Sequence, residues 1–174
     1  MKNNADRYVT VIYCDDIRQE VGNKLSFIGC YQGGELHVQV VPSALPKLCA
    51  FVSVVTPKER PFKSLSIRVL QDETELALLE LPTGGLSNVP PNIDDSATRL
   101  ALSTAMMFAP FMIEKPTSLR ILVTTEEGEM IGPRLAIKVQ AAPEAPAQVA
   151  MQVKPAAKRP AKGKVSPRRS TTTH

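Results

Sequence analysis

Tryptophan is absent from this 174-residue chain, and its rings are limited to five Phe and three Tyr, so aliphatic side chains must supply the core. Histidine is nearly absent too: one sits at His37, on the wet side of an alternating segment, and the other is the last residue, His174. With a single histidine in the expected folded part, Ser-His-Asp, Cys-His and histidine-zinc sites lack partners. The three cysteines, Cys14, Cys30 and Cys49, have no C-x-x-C spacing. Their odd number, without a secretion signal, points to reduced thiols in the cytoplasm. Gly33-Gly34 and Gly84-Gly85 do not form a phosphate-cradling loop. Glu20 with Asp16 is too generic a pair to assign acid–base roles. No apolar run approaches the roughly 18–20 residues that a membrane helix needs. The start, MKNNADRYVTV, lacks the continuous apolar stretch of a signal peptide. The expectation is a soluble, cytoplasmic protein that is not an enzyme, with no cofactor, no resident metal and no membrane partner.

What the chain does have is uneven charge. Residues 1–140 carry 14 Lys+Arg against 16 Asp+Glu, a net of −2, whereas residues 141–174 carry 7 Lys+Arg against Glu144 alone, a net of +6. Any attraction for a polyanion therefore belongs to the tail. Before the tail, short β-rich runs recur at about 7–14, 25–31, 35–41, 48–56, 63–71, 75–81, 97–108, 118–125 and 134–140. Leu36, Val38 and Val40 alternate with Glu35, His37 and Gln39, and Leu135, Ile137 and Val139 alternate with Ala136, Lys138 and Gln140. One buried and one wet face is the mark of antiparallel sheets. Gly33-Gly34 is expected to join two runs as a tight hairpin, and Pro57–Pro61, Asp72–Thr74 and Glu126–Gly128 to close others. Pro82–Asp95 is a longer loop. Ser96–Phe108 fits a strand by alternation, although its Ala and Met content also suits a helix, and Pro110 ends either one.

Eight or nine short strands without a long amphipathic helix predict an all-β fold over residues 1–140: an antiparallel two-sheet β-sandwich, immunoglobulin-like or C2-like, with a partly open barrel as the other option. Residues 141–174 are rich in Pro, Ala and Lys, with almost nothing to bury, and are expected to be disordered.

The segment Val11–Tyr31, VIYCDDIRQEVGNKLSFIGCY, is the most particular in the chain. Cys14, Asp15, Asp16, Ile17, Arg18 and Glu20, then Lys24, Ser26, Ile28, Gly29 and Tyr31, form a pattern with weaker echoes at Leu45–Leu48, Thr56-Pro57, Pro61-Phe62, Pro110-Phe111 and Leu135–Ile137. Over about residues 8–140 the chain resembles a small bacterial family catalogued only as domain of unknown function 6941. That resemblance implies a bacterial source, and no reaction, cofactor or partner comes with it. Cys30 stands where related chains have an apolar residue.

Asp15, Asp16, Arg18, Glu20 and Lys24 are the candidate interaction or structural motif. The plain structural expectation is a one-turn helix after the first strand, capped by Asp15 or Asp16, with Gln19 three residues on and Ile17 turned inward. A functional alternative is a cation site: strands running up and down place loops 15–24, 42–47, 72–75 and 110–117 at one end, where Asp15, Asp16, Asp72 and Glu73 can converge as oxygen ligands. No D-x-D-x-D-G spacing supports that alternative, and Arg18 is a built-in cation among the carboxylates. Asp94-Asp95 falls at the opposite end. In the tail, Lys154, Lys158, Arg159, Lys162, Lys164, Arg168 and Arg169 are candidate polyanion contacts. Without interleaved aromatics, nucleic-acid binding there is expected to be weak, nonspecific and salt-sensitive. The functional expectation is a non-catalytic binding or assembly module whose protein partner docks at the acidic turn 15–24 and its neighbouring loops. Nonspecific nucleic-acid or other polyanion association through the tail is the alternative.

Overall fold

The structure is a computed structural model and describes residues 6–81 and 96–140. Both stretches fall within one compact unit, Met1–Pro143. The segment 82–95 expected as a loop, with Asp94 and Asp95, and the tail expected to be disordered lie outside the described residues.

The described residues of this unit form thirteen strands and no α-helix. They are β1 (Tyr8–Cys14), β2 (Asp16–Glu20), β3 (Lys24–Ile28), β4 (Glu35–Val38), β5 (Ser43–Leu45), β6 (Leu48–Pro57) and β7 (Leu65–Gln71). After them come β8 (Thr74–Leu81), β9 (Arg99–Phe108), β10 (Phe111–Ile113), β11 (Thr117–Thr125), β12 (Gly128–Ile131) and β13 (Leu135–Val139). The class is all-β and mainly antiparallel.

Two sheets carry the fold. One has three strands in the order β1-β6-β9, and the other runs β4-β13-β11-β7-β8, with β12 also paired to β11. Alternation in the sequence fixes which side of each strand faces the other sheet. From β6 come Leu48, Ala50, Val52 and Val54, and from β7 and β11 come Leu65, Ile67, Val69, Leu119, Ile121 and Val123; all join one buried cluster. Single slips of register there turn the apolar row outward, so the pairing is strongly specified. Gly132 marks a close approach between the sheets: a Cβ there would lie 3.3 Å from Val9 Cγ1 and Val11 Cγ2.

Several elements differ from the sequence expectation. Gly33-Gly34 does not join a hairpin. Both glycines have positive φ, 68° and 69°, within a 3-10 turn at Gln32–Gly34. The strand that follows, β4, pairs parallel with β13 rather than with β3, as Leu36 opposite Ile137 and Val38 opposite Val139. Parallel pairing demands a long connection, which the intervening chain provides. Ser96–Phe108 resolves as a strand: β9 pairs with β6 over ten successive residues. The short strands β2, β5, β10 and β12 were not expected. Asp72–Thr74 and Glu126–Gly128 do turn the chain, as the β7–β8 and β11–β12 connections.

At the start of β1 the buried Arg7 joins three segments. Its guanidinium donates to Thr56 Oγ1 at 3.0 Å, to the Arg60 carbonyl at 3.0 Å and to Glu126 Oε1 at 2.8 Å, and it lies 4.8 Å from the Phe62 ring centroid.

Candidate functional site

The candidate motif lies at the other end of β1, and it is a hairpin rather than a capped helical turn. Asp16–Glu20 pairs with Lys24–Ile28, with Asp16 opposite Ile28, Arg18 opposite Ser26 and Glu20 opposite Lys24. The loop Val21-Gly22-Asn23 reverses the chain, and Gly22 and Asn23 take positive φ of 81° and 57°, a conformation those two residue types adopt at low cost. The helix expectation failed because the acidic run matches a capping pattern locally, while cross-strand pairing with the segment after the loop satisfies the same amides. Asp15 and Asp16 therefore cap nothing.

Residues directly opposite in an antiparallel pair share a face. On one face of the ribbon lie Ile17, Phe27, Gln19 and Leu25, and Phe27 packs edge-on against Phe51 of β6 with ring centroids 5.1 Å apart. The opposite face carries Asp16, Arg18, Glu20 and Lys24, so the structure brings four of the five candidate residues together. Asp16 is partly neutralised there: Oδ1 accepts from Lys47 Nζ at 2.7 Å and Oδ2 from Arg18 Nε at 3.1 Å. The Lys47 bond, followed by that from Arg18, holds the Asp16 carboxyl below its usual range. Glu20 and Lys24 hold no ion pair among the described residues, and Val21 at the tip is 93% exposed.

Asp15 is turned away from this face. Its carboxylate accepts the Tyr31 hydroxyl, while its amide donates to the Ile28 carbonyl at 2.9 Å. The carboxylate occupies the space a side chain on Gly29 would need, and Gly29 has φ of 67°. Asp15, Gly29 and Tyr31 thus form one interlocked unit that pins the base of the hairpin to β1, helped by the Tyr31 amide donating to the Tyr13 carbonyl at 2.9 Å.

The expected gathering of loops occurs, but its carboxylates stay apart. A surface hollow of about 370 Å³ is lined by Asp15, Asp16, Leu45, Pro46 and Lys47. Next to it β5 pairs with β10, and Gln71 Nε2 reaches the Met112 carbonyl at 3.4 Å. Asp72, however, accepts from Thr117 Oγ1 at 2.8 Å and the Ser118 amide at 3.0 Å, and Glu73 pairs with Arg120 at 3.3 Å. Among the described residues, no three His, Cys, Asp or Glu side chains are grouped to hold a metal ion. Asp15, Asp16, Asp72 and Glu73 do not form the shell that the loop arrangement suggested.

All three cysteines lie at the base of the hairpin. Cys14 and Cys49 are direct partners across β1 and β6, both buried, while Cys30 is exposed. Burial pushes the Cys14 thiol up to about 11 and raises that of Cys49. Iodoacetamide should therefore alkylate Cys30 readily in the native protein and reach Cys14 and Cys49 only as fast as the fold opens. Peptide mass spectrometry over time would show this. Equal rates at all three would contradict the packing.

Sequence reasoning missed Lys47, Tyr31 as the partner of Asp15, and Arg7. The chain matches no family model, no curated protein and no solved structure in comparisons with each.

Proposed function

We propose that the chain is a non-catalytic binding or assembly module that docks a protein partner through the β2–β3 hairpin and the adjoining loop at Leu45–Lys47. One observation carries this reading. The ribbon is anchored at its base through Asp15, Tyr31 and Phe27, yet its tip presents exposed Val21 and Leu25 beside two charges, Glu20 and Lys24, that nothing in the described chain uses. A rigid base with an apolar, unsatisfied tip suits recognition, since little ordering entropy remains to be lost on docking. The resemblance to a bacterial family without assigned activity is compatible with this reading and adds no reaction to it. A bacterial cytoplasm is the setting we assign.

Polyanion association through Lys154–Arg169 is the second reading, favoured by the charge of +6 on residues 141–174. One experiment separates the two. Full-length chain, the double variant Val21→Ser/Leu25→Ser and a chain ending at Gln140 are immobilised, and retained proteins and nucleic acid are compared at low and high salt. A hairpin partner is lost with the double variant, kept by the truncated chain and recovered when it is purified and rebound. Retention that disappears with truncation and with salt supports the tail instead. If the double variant retains everything the parent does, the hairpin reading fails.

A further inference from the structure

Strand edges expose unpaired backbone donors and acceptors, and folded proteins normally protect them with charge, proline, a bulge or cover. Three of the outer strands here follow that rule. β8 carries Glu75 and Glu80 and pairs across a register irregularity at Val69/Leu70. β4 is only four residues long and holds the Glu35 ion pairs with Lys138 and His37. β1 is closed over Gly132 of the other sheet and tied down through Arg7.

Among the described residues, β9 has none of these devices. Its ten residues, RLALSTAMMF, pair with β6 without interruption, and no described strand pairs with the other side. From Leu100 to Phe108 it has no charge and no proline. Its one charge, Arg99, is turned back across the sheet, donating to the Asp6 carbonyl at 2.7 Å and lying 5.6 Å from the Tyr8 ring centroid. Its two faces are also sorted. Ala101, Ser103, Ala105 and Met107 form an exposed outer row, and the half-buried Leu100, Leu102, Thr104, Met106 and Phe108 face inward. At this edge a mainly apolar cleft of about 290 Å³ opens between β9 and β8, with Leu102, Ser103 and Thr104 on one wall and Leu79 and Leu81 on the other.

We propose that β9 is a self-association edge that pairs antiparallel with β9 of a second copy of this chain, Ser103 lying opposite Ser103. The occupant follows from the strand's own complementarity. Only registers that pair odd positions with odd keep both apolar rows on the inner face. With the two-fold axis at Ser103, Ala101 meets Ala105 and Arg99 meets Met107, so the outer row contains only small contacts at its centre and no like charges oppose each other. On the inner face Leu102 meets Thr104 and Leu100 meets Met106, which extends the apolar layer across the axis and closes the mouth of both clefts. A two-fold interface of this type uses one patch twice, and here it joins two three-stranded sheets into one of six. Hairpin Phe27 packs on Phe51, the cross-strand partner of Ala105, so the two surfaces adjoin on the outer face of the sheet, but the edge pairing uses the β9 backbone and does not depend on the hairpin's role.

The test is the molar mass of the full-length chain by sedimentation equilibrium over a wide concentration range. The expected result is a two-chain species, twice 18.9 kDa, at the upper concentrations. Ser103→Lys and Ser103→Glu should each sediment as one chain, with a melting temperature lowered only by the loss of the exposed hydrogen bond that Ser103 Oγ donates to Ser53 Oγ at 3.0 Å, and mixing them should restore the two-chain species. A parent that stays at single-chain mass throughout overturns the proposal, as does a Ser103→Lys variant that keeps the double mass. If the charged variants do not fold, cross-linking decides. Under mild oxidation with a disulfide, Ser103→Cys should form a covalent dimer beyond the background set by Cys30 in the parent, while Ala101→Cys should not. Equal yields from both, or none from Ser103→Cys, rule out the register.

Discussion

Replacement of Arg7 by Met should lower the unfolding free energy by about 3–5 kcal/mol, the range for removing one partner of a buried ion pair. Methionine keeps an apolar stem beside Phe62 but has no donors. Thr56 Oγ1, the Arg60 carbonyl and Glu126 then lose their common partner at a position that is 4% exposed in the parent. The substitution also alters the pH dependence. Burial by itself pushes the Glu126 carboxyl up, but Arg7 and the amides of Lys63 and Ser64 outweigh it and bring the group from 4.5 down to about 2. A depressed carboxyl contributes stability that is complete above its unfolded value and is lost as the pH falls through its folded value. Reduced by solvent screening of the partly exposed Glu126, this contribution in the parent is on the order of 2–3 kcal/mol and fades between about pH 4.5 and pH 2. Without Arg7 the leading cause of the depression goes while the amide hydrogen bonds remain, and the acid loss becomes shallower. Urea denaturation of parent and variant at neutral and acidic pH measures both effects. A variant within about 0.5 kcal/mol of the parent at neutral pH, a difference typical of surface substitutions, would show that Arg7 is not the tie the contacts suggest.

The contrast between what could and could not be foreseen follows from the range of each signal. Long strands announce themselves because burial repeats every second residue. Leu65, Ile67 and Val69 in β7 and Leu119, Ile121 and Val123 in β11 all face the core as their alternation requires. Three- and four-residue strands such as β5 and β10 give alternation too few repeats to register. β2 was hidden for another reason: Asp15 and Asp16 have poor strand propensity and good capping chemistry, and the pairing that decides the matter involves Lys24–Ile28 beyond the loop. Gly33-Gly34 misled in the opposite direction, because a glycine pair permits positive φ but does not say which strands the turn will join.

The site was legible to a similar extent. Charge placement on Asp16, Arg18, Glu20 and Lys24 was visible, and strand geometry then put all four on one face. The contacts that organise the base were not, since Lys47 and Tyr31 lie 31 and 16 residues from their carboxylate partners. Arg7 follows Asp6 directly before an apolar run, and no local pattern separates it from a solvated arginine. Its partners are brought in from Thr56 and Glu126 by the sheet topology alone.

The interlock at the hairpin base makes a quantitative prediction of its own. Gly29→Ala should destabilise the protein by about 3 kcal/mol, from roughly 1–2 kcal/mol for a Cβ at left-handed φ and a further contribution from displacing the Asp15 carboxylate off the Tyr31 hydroxyl. The two components can be separated, because only the second requires Asp15. In an Asp15→Ala background the added methyl meets no carboxylate, so Gly29→Ala should cost only the backbone part, and the double-mutant cycle should show a coupling of about 1–2 kcal/mol. Calcium should change none of these values, because the carboxylate is engaged by a phenol within the fold. Strict additivity in chemical denaturation would mean that Gly29 is needed for its φ of 67° alone. The pattern Cys14-Asp15 with Gly29 and Tyr31 would then be a coincidence of neighbours. A measurable coupling instead explains why an acidic residue, a glycine and a tyrosine stand together in the most particular stretch of the chain: each fills space or satisfies an atom that the other two leave open.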